Sequence, residues 1–554
     1  MHESRPIDIN SEPEDMLSQS VLFSLRSNVL LYELPGLRSE VPGQFLLTDL
    51  VTGQHFGLSN EQAAIIRTLQ ILQETLSFGD VSEACRQKFG VPVDCSAIQA
   101  LLKDLDDLAL IKSKSLSREQ IVARQLKYRR AILERLQCDH LSSLLQWMKT
   151  SLEFYKHKLA GHPARITRLE ELLDLPITTR EDVRQNLHKL LPAGLNRYSN
   201  INWRSTSGTT SERMQTVHVG DYLQEVTQRV LHLNPCFDVE ILGSPMCVLT
   251  TPVCSGLECH MDMNVPYERR LRYGRALFLN SVMNPVHFPE EKLEQIIEEM
   301  RKHQPRYLYC NASYAAALAT YILQKQPKLP RFKTVLTSYE VTSKIHKRLL
   351  MQAFSCPSFE IYGLTEVSQA AMECEDGKMY VPHDTHIIEI LDRDRRPVRP
   401  GEVGRLYITS LRKYSVPLLR YRTTDLARAA SEPSTIRAEF CFQRIEGRIG
   451  DLIAKPDGQF LTPRMVDDAV SRCESGIGWY SLVQKNEHSY RLYIVPTPEY
   501  SNRTEGQLSA LLAELLGPEA MISVEPVKEI RPGSSGKFRL CYQEEPQDSL
   551  QNQF

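Results

Sequence analysis

The sequence carries almost no net charge of either sign. Its 554 residues hold 66 Lys and Arg against 68 Asp and Glu, a formal net charge of −2. That balance excludes a globally basic nucleic-acid binder, while a local basic patch stays open. Long hydrophobic runs are lacking too. The longest uncharged, fairly apolar stretch, Tyr307 to Gln324, contains Asn311, Ser313, Thr320 and Gln324, and predicts a buried helix rather than a membrane span. No Cys-x-x-Cys pair occurs among the 13 cysteines, an odd number spread along the chain. A disulfide framework is therefore excluded, and a cytoplasmic protein with reduced thiols is expected. The opening MHESRPIDINSEPEDM has no cationic start followed by an apolar core, so no secretory signal is expected. Internal repeats and low-complexity tracts are absent.

What is present is ordinary globular composition, 42% apolar and 24% charged, in a chain long enough for several domains. Residues 1–20 read as a flexible N-terminus. Residues 21–112 open with the apolar-rich VLFSLRSNVLLYEL, and FLLTDLVTGQHFGL then reads as a hairpin around Thr52-Gly53. Ser59-Asn60-Glu61 offers a cap for a first helix. Ala84 to Phe89 fits a second, ended by Gly90 and Pro92. Ile98, Leu101, Leu102, Leu105, Leu108 and Leu110 trace a third at helical spacing. The order predicts a winged-helix-like α+β domain. Seven Lys and Arg stand against eleven Asp and Glu between Val21 and Lys112, so phosphate-backbone binding is not expected.

Residues 113–137 read as a linker and a basic helix, whose plain interpretation is a solvated face. Residues 138–449 alternate helix-like and strand-like runs, such as EEKLEQIIEEMRKH, RYLYC, SYAAALATYILQK and KTVLTS. That alternation predicts a large multi-layer α/β domain. Residues 450–545, with WYSLVQ, YRLYIV, EGQLSALLAELL and ISVEPV, predict a small α+β C-terminal domain, before a flexible tail at 546–554.

Five segments carry chemistry. Arg204-Ser205-Thr206-Ser207-Gly208-Thr209-Thr210-Ser211 sets hydroxyls and a glycine where backbone N–H groups can approach a phosphate. No Gly-Lys-Ser/Thr follows, so it is not a nucleoside-triphosphatase P-loop. Glu360-Ile361-Tyr362-Gly363-Leu364-Thr365-Glu366 joins an aromatic that can stack on a base, a hydroxyl that can touch a phosphate, and a carboxylate that can hold Mg²⁺. Asp425, closing PLLRYRTTD, suits a ribose diol. Glu446-Gly447-Arg448-Ile449-Gly450-Asp451 comes next. Arg531-Pro532-Gly533-Ser534-Ser535-Gly536-Lys537 presents one lysine on a loop. Singly, each is a common turn or loop.

Together, in this order and at these spacings, they resemble the adenylate-forming superfamily, and within it the phenylacetate–CoA ligases and coenzyme F390 synthetases. Phe154-Tyr155-Lys156 with LEELLDLPITTREDVRQN, VLTSYE at Val335 to Glu340, and ECEDG at Glu373 to Gly377 support that branch. The likeness covers roughly Cys138 to Leu540. It implies an ATP-dependent ligase that makes an acyl-adenylate, releases pyrophosphate and passes the acyl group to a nucleophile. It also implies residue roles. Ser205, Thr206, Ser207, Gly208, Thr209 and Thr210 wrap the ATP phosphates. Ser338, Tyr339 and Glu340 line the adenine pocket. Tyr362, followed by Gly363, stacks on adenine, Thr365 contacts the α-phosphate and Glu366 binds Mg²⁺. Asp425, helped by Arg448, holds the ribose, and Lys537 bridges carboxylate and phosphate oxygens.

Two departures stand out. Ser211, Glu212 and Arg213 replace the usual glycine and lysine after Thr209-Thr210, and Arg213 is a candidate substitute cation. At the usual hinge position the chain has Gly450, with Asp451 just after. The resemblance also implies thiol-held metals in related ligases. Here Cys254, Cys259, His260, Cys374 and Cys441 could assemble four ligands for structural Zn²⁺, and buried free thiols are the other reading.

The strand, hairpin and three helices of residues 21–112, with TDLVTGQHFGLS, resemble the PqqD-like domains that recognise leader peptides of ribosomally made natural products. That resemblance implies a precursor-peptide partner taken up at a strand edge; structural packing is the alternative. The carboxylate substrate is then a small acid or part of a peptide, and the acceptor CoA, an amine or a carrier thiol. No nucleic-acid or membrane partner is expected. A scaffold that binds ATP and peptide without catalysis is the reading from another class.

Overall fold

The structure, a computed structural model, describes residues 20–21, 29–34, 44–49, 54–72, 76–107, 118–195, 201–205, 214–220, 222–237, 243–252, 265–473 and 475–544. The chain divides into two compact units, Met1–Leu133 with Ser434–Ala438, and Glu134–Pro433 with Glu439–Phe554. The division falls inside one 34-residue helix, Arg118–Ser151.

In the first unit, strands Val29–Leu34, Gln44–Asp49 and Gln54–Leu58 form an antiparallel sheet. Asp49 pairs with Gln54, so the expected hairpin forms; its tip, Thr52-Gly53, lies outside the described residues. Helices Asn60–Leu72, Phe78–Phe89 and Cys95–Asp107 follow. Ser59 starts the first with a reciprocal cap: Gln62 N donates to Ser59 Oγ at 3.2 Å, and Ser59 N to Gln62 Oε1 at 2.9 Å. The second helix begins earlier than Ala84, because Val81 belongs to its buried face with Cys85. Ile65, Ile66, Val81, Cys85, Ile98, Leu101 and Leu105 bury together as that unit's core.

The second unit is organised by one twelve-stranded sheet. Strands Ala276–Phe278, Met246–Leu249, Tyr307–Asn311, Thr334–Ser338 and Ser358–Leu364 lie side by side and parallel. Beyond Ser358–Leu364 the pairing turns antiparallel, through Ser368–Glu373, Met379–Tyr380, Cys441–Arg448, Tyr421–Ala429, Val403–Ser410 and His386–Leu391. Ser358–Leu364 is therefore the seam between two kinds of sheet. Helices Glu290–His303, Ala312–Lys325 and Lys344–Phe354 cover the parallel half, burying Ile296, Met300, Leu318 and Leu350 against Leu249, Leu308 and Val335. This is the α/β body expected.

The apolar run from Tyr307 is not one helix. Tyr307–Asn311 is a strand and Ala312–Lys325 a buried helix. Asn311 makes the break, since its Oδ1 accepts the Ser313 amide at 3.2 Å as a helix cap. Among the described residues no helix is long and apolar enough to cross a membrane.

The C-terminal segment builds a mixed sheet in the order Met521–Pro526, Ser489–Pro496, Ile477–Gln484, Cys541–Gln543. Helices Pro463–Val470 and Asn502–Leu516 complete it, around Leu482, Leu492, Ile494, Leu508 and Leu512. In parallel sheets, ligands bind beyond the carboxyl ends of the strands. Asn311, Ser338 and Leu364 mark those ends here.

Candidate active site

A cavity of about 340 Å³ opens where these strands end. Ser338 closes its strand, and Tyr339 and Glu340 follow it into the wall. Tyr362 and Gly363 come from the seam strand, Thr365 and Glu366 from the turn after it. Asp425 and Arg448 are register partners on adjacent strands, and Lys537 arrives from the C-terminal segment. All ten line the one cavity. Ser205 ends the strand Ile201–Ser205 without lining it, whereas its neighbour Arg204 does. Thr206, Ser207, Gly208, Thr209, Thr210 and Arg213 lie outside the described residues.

On one side of the cavity an aromatic ring, a carboxylate and a guanidinium are tied together. The Tyr362 hydroxyl donates to Asp425 Oδ2 at 2.8 Å, and Arg448 Nε stands 3.4 Å from Asp425 Oδ1. The Asp425 amide donates to Thr423 Oγ1 at 3.1 Å, which fixes the carboxylate's backbone. Burial, reinforced by Asp425, pushes the Tyr362 phenol well above its ordinary range, so it stays a donor. Gly363 sits at a break in strand register. A Cβ there would lie 2.6 Å from Gln369 Oε1 and 2.7 Å from Ser368 O, so only glycine fits.

On the other side is a carboxylate held from several directions. The Tyr421 hydroxyl donates to Glu366 Oε1 at 2.9 Å. Lys413 Nζ donates to the Glu366 carbonyl and, at 2.8 Å, to Thr216 Oγ1. His218 Nε2 donates to the Thr365 carbonyl at 2.9 Å. Burial, then Lys413, hold His218 down to about 2, so the imidazole is neutral. Burial also lowers Lys413, to about 7. Among the described residues, Arg204 Nε, His218 Nδ1 and Gln369 Oε1 are buried without a hydrogen-bond partner. A carboxylate that lines a polar cavity is the donor type that magnesium takes, so the residues fit that ion. His218 and Lys413 lie outside the motifs read from sequence, and Tyr421 and Arg204 lie inside two of them without an assigned role. Arg204 had a signal, since it opens the hydroxyl-rich motif.

Lys537 sits on a tight turn, with Gly533 N donating to Lys537 O at 2.9 Å and Gly536 N to Gly533 O at 2.8 Å. Gly536 has φ +73°, and Tyr314 OH donates to its carbonyl at 3.2 Å. Glu340 ties this loop to the body: Oε1 accepts the Ser313 amide at 3.0 Å and Oε2 the Phe538 amide at 2.9 Å. Burial, then Arg448, lower Lys537 to about 8, against the opposing pull of Glu340, Asp425 and Glu366. Further anchors follow the Gly450 turn. Arg539 Nη2 donates to Gly450 O at 2.6 Å, and Arg464 Nη2 reaches both oxygens of Glu360 at 2.9 Å.

The thiols stand apart from this site. Cys374 is buried with Sγ donating to Leu233 O at 3.3 Å, and Cys441 packs beside it and Tyr380. Among the described residues no disulfide joins any of the eleven cysteines. Among the described residues no group of three or more His, Cys, Asp or Glu could hold a metal; Cys254, Cys259 and His260 lie outside them.

Three curated relatives are similar along most of their own length. The chain is 24% identical over 412 residues to the phenylacetate-coenzyme A ligase of Pseudomonas putida, covering 69% of this chain and 86% of that protein. To that of Escherichia coli it is 25% identical over 348 residues, 58% and 72% of the two chains. To that of Thermus thermophilus it is 24% identical over 385 residues, 64% and 79%. In fold it is similar to the crystal structure of 2-hydroxyisobutyryl-CoA ligase in the postadenylation state. That match has a TM-score of 0.58 at 18% identity, over 76% of this chain and 90% of the other. No family model matches the chain.

Proposed function

We infer that this chain, an adenylate-forming ligase, joins a carboxylic acid to AMP in the cavity described above, releases pyrophosphate, and passes the acyl group to coenzyme A. The observation that carries the reading is the meeting of Lys537 with Glu366, Tyr362 and Asp425 in one cavity. The substrate carboxylate attacks the α-phosphorus of ATP, the bond to the β-phosphate oxygen breaks, and pyrophosphate leaves. Both reactants are anions, so the barrier is largely electrostatic.

Each side chain has a task in that step. The Tyr362 ring, pinned by its bond to Asp425, offers a fixed face to adenine. Asp425 and Arg448 take the ribose, and Thr365 the α-phosphate. Lys537 neutralises the oxygens that approach one another. Arg204, with an unpartnered Nε in the wall, supplies a cation on the triphosphate side, where the loop lacks its usual lysine. Glu366 would hold Mg²⁺, which when bound supplies charge neutralisation on the phosphates.

Coenzyme A as acceptor is supported by the names of the curated relatives and of the structural neighbour. ATP–pyrophosphate exchange with a panel of aryl and short acyl acids, followed by mass detection of acyl-AMP and acyl-CoA, tests the reading. Exchange that no acid stimulates would overturn it.

A finer proposal concerns residues 21–112. Their sheet and three helices, in the order of PqqD-like modules, support leader-peptide recognition, with the chain acting in peptide tailoring. Acid turnover that an encoded neighbouring precursor peptide neither accelerates nor competes with would sink that part alone.

A further inference from the structure

We propose that His218, Lys413 and Tyr222 are positioning residues that hold three consecutive carbonyls, those of Thr365, Glu366 and Val367, and thereby aim Thr365 and Glu366 at the metal–triphosphate. The proposal rests on the reading of Glu366 as the metal carboxylate. His218 Nε2 donates to Thr365 O at 2.9 Å, Lys413 Nζ to Glu366 O, and Tyr222 OH to Val367 O at 2.9 Å. Fixing successive peptide planes fixes the Cα–Cβ directions between them, because ω is rigid. The Glu366 Cα–Cβ direction is then set before any ligand arrives, and the Tyr421 hydroxyl restrains the carboxylate itself at 2.9 Å.

The three donors are themselves locked. Lys413 and His218 are 0% and 1% exposed. His218 stacks on Tyr222 with ring centroids 5.4 Å apart and planes 6° from parallel. Lys413 also donates to Thr216 Oγ1 at 2.8 Å. Thr216 and His218 alternate by two on the strand Gln215–Val219, so both point to one face of it. That strand pairs residue for residue with Ile201–Ser205, the strand that leads into the hydroxyl-rich motif. One ribbon therefore flanks the phosphate loop and also props the metal carboxylate.

A buried ammonium bonded to two neutral oxygens is costly to hold. A purely structural filler at that position would be apolar. The cost is explained by what the ammonium orients.

The test measures metal binding without turnover, on the full chain. Mn²⁺ is titrated by electron paramagnetic resonance into protein saturated with the α,β-methylene analogue of ATP, and AMP affinity is measured separately. Lys413→Met, Thr216→Val and Tyr222→Phe are each expected to weaken Mn²⁺ retention, by about tenfold for Lys413→Met, with AMP affinity within about twofold. His218→Leu should weaken it and His218→Gln, which keeps an N–H donor, should recover it. Should Lys413→Met fail to fold, Thr216→Val and Tyr222→Phe decide the matter, since each removes only one side-chain polar group. Unchanged Mn²⁺ retention in those variants, or an equal loss of AMP affinity, overturns the proposal. Wild-type protein that retains no Mn²⁺ overturns the reading of Glu366 beneath it.

Discussion

Gly536 lies so close to Thr251 that a Cβ on it would sit 1.7 Å from Thr251 Oγ1. The contact seats the Lys537 loop against the body, and φ at Gly536 is +73°, in the region that disfavours a side chain. Gly536→Ala is expected to abolish acid-dependent pyrophosphate exchange with little change in thermal midpoint, because only the loop is displaced. Gly533→Ala, whose nearest atom would be 3.6 Å away, should leave most of the exchange. Equal activity of the two variants would refute the docking argument.

Lys537 sets an alkaline limit. Its folded-state pKa is about 8, below the ordinary 10.5, through burial and Arg448. The cation needed for adenylation is therefore lost as pH rises through about 8. Exchange at subsaturating ATP should fall on that limb, and Lys537→Arg should remove the limb because guanidinium stays charged. Lys537→Ala should lower the rate by about 10²–10³-fold at all pH values. The linkage has the opposite sign for stability. The unfolded chain binds this proton more tightly, so the lysine's destabilising contribution shrinks between pH 8 and 10.5. A pH–rate profile flat through that range would contradict the assignment.

Tyr362→Phe removes only the hydroxyl that bonds Asp425 at 2.8 Å. The expected loss is about 1 kcal/mol, seen as a roughly fivefold rise in KM for ATP with kcat nearly unchanged. Tyr362→Ala also removes the ring face and should cost about 1–3 kcal/mol more in AMP binding. Calorimetric titration with AMP separates the two contributions.

Arg464 and Glu360 form a buried ion pair, with side chains 6% and 16% exposed. Arg464→Leu strands the Glu360 carboxylate and should cost about 3–5 kcal/mol in urea unfolding. The double variant Glu360→Gln with Arg464→Leu should lose less than Arg464→Leu alone. A double variant at least as unstable would show that packing, not charge, dominates there.

The parts of the cavity that could be read from sequence share one property: each is a short segment whose residue types are chemically unusual together. Tyr362 through Glu366, Asp425 after a strand, and Lys537 on a glycine loop are visible as local strings, and the structure puts them in one wall. The alternation of runs such as RYLYC and KTVLTS likewise marks the strands Tyr307–Asn311 and Thr334–Ser338. His218, Lys413 and Tyr222 were not legible, because each acts on a backbone carbonyl. Backbone groups have no signature in sequence, and the partners lie 147, 47 and 145 residues apart. The runs RYLYC and SYAAALATYILQK mark the strand and the helix on either side of Asn311, but its capping role has no such signature, since it acts on the Ser313 amide.

The seam strand Ser358–Leu364 has a last consequence. Ser358, Phe359 and Glu360 pair in parallel with Val335, Leu336 and Thr337, whereas Ile361, Tyr362, Gly363 and Leu364 pair antiparallel with Met372, Ala371, Gln369 and Ser368, so the strand changes partner between Glu360 and Ile361. Local opening of one neighbour therefore frees one half of the strand and leaves the other half paired. Amide hydrogen exchange should therefore follow the two neighbours separately, 358–360 with the parallel one and 361–364 with the antiparallel one. The residues that would read adenine, phosphate and metal thus lie on or beside the half that follows the antiparallel neighbour, so their order is tied to that of Ser368–Glu373.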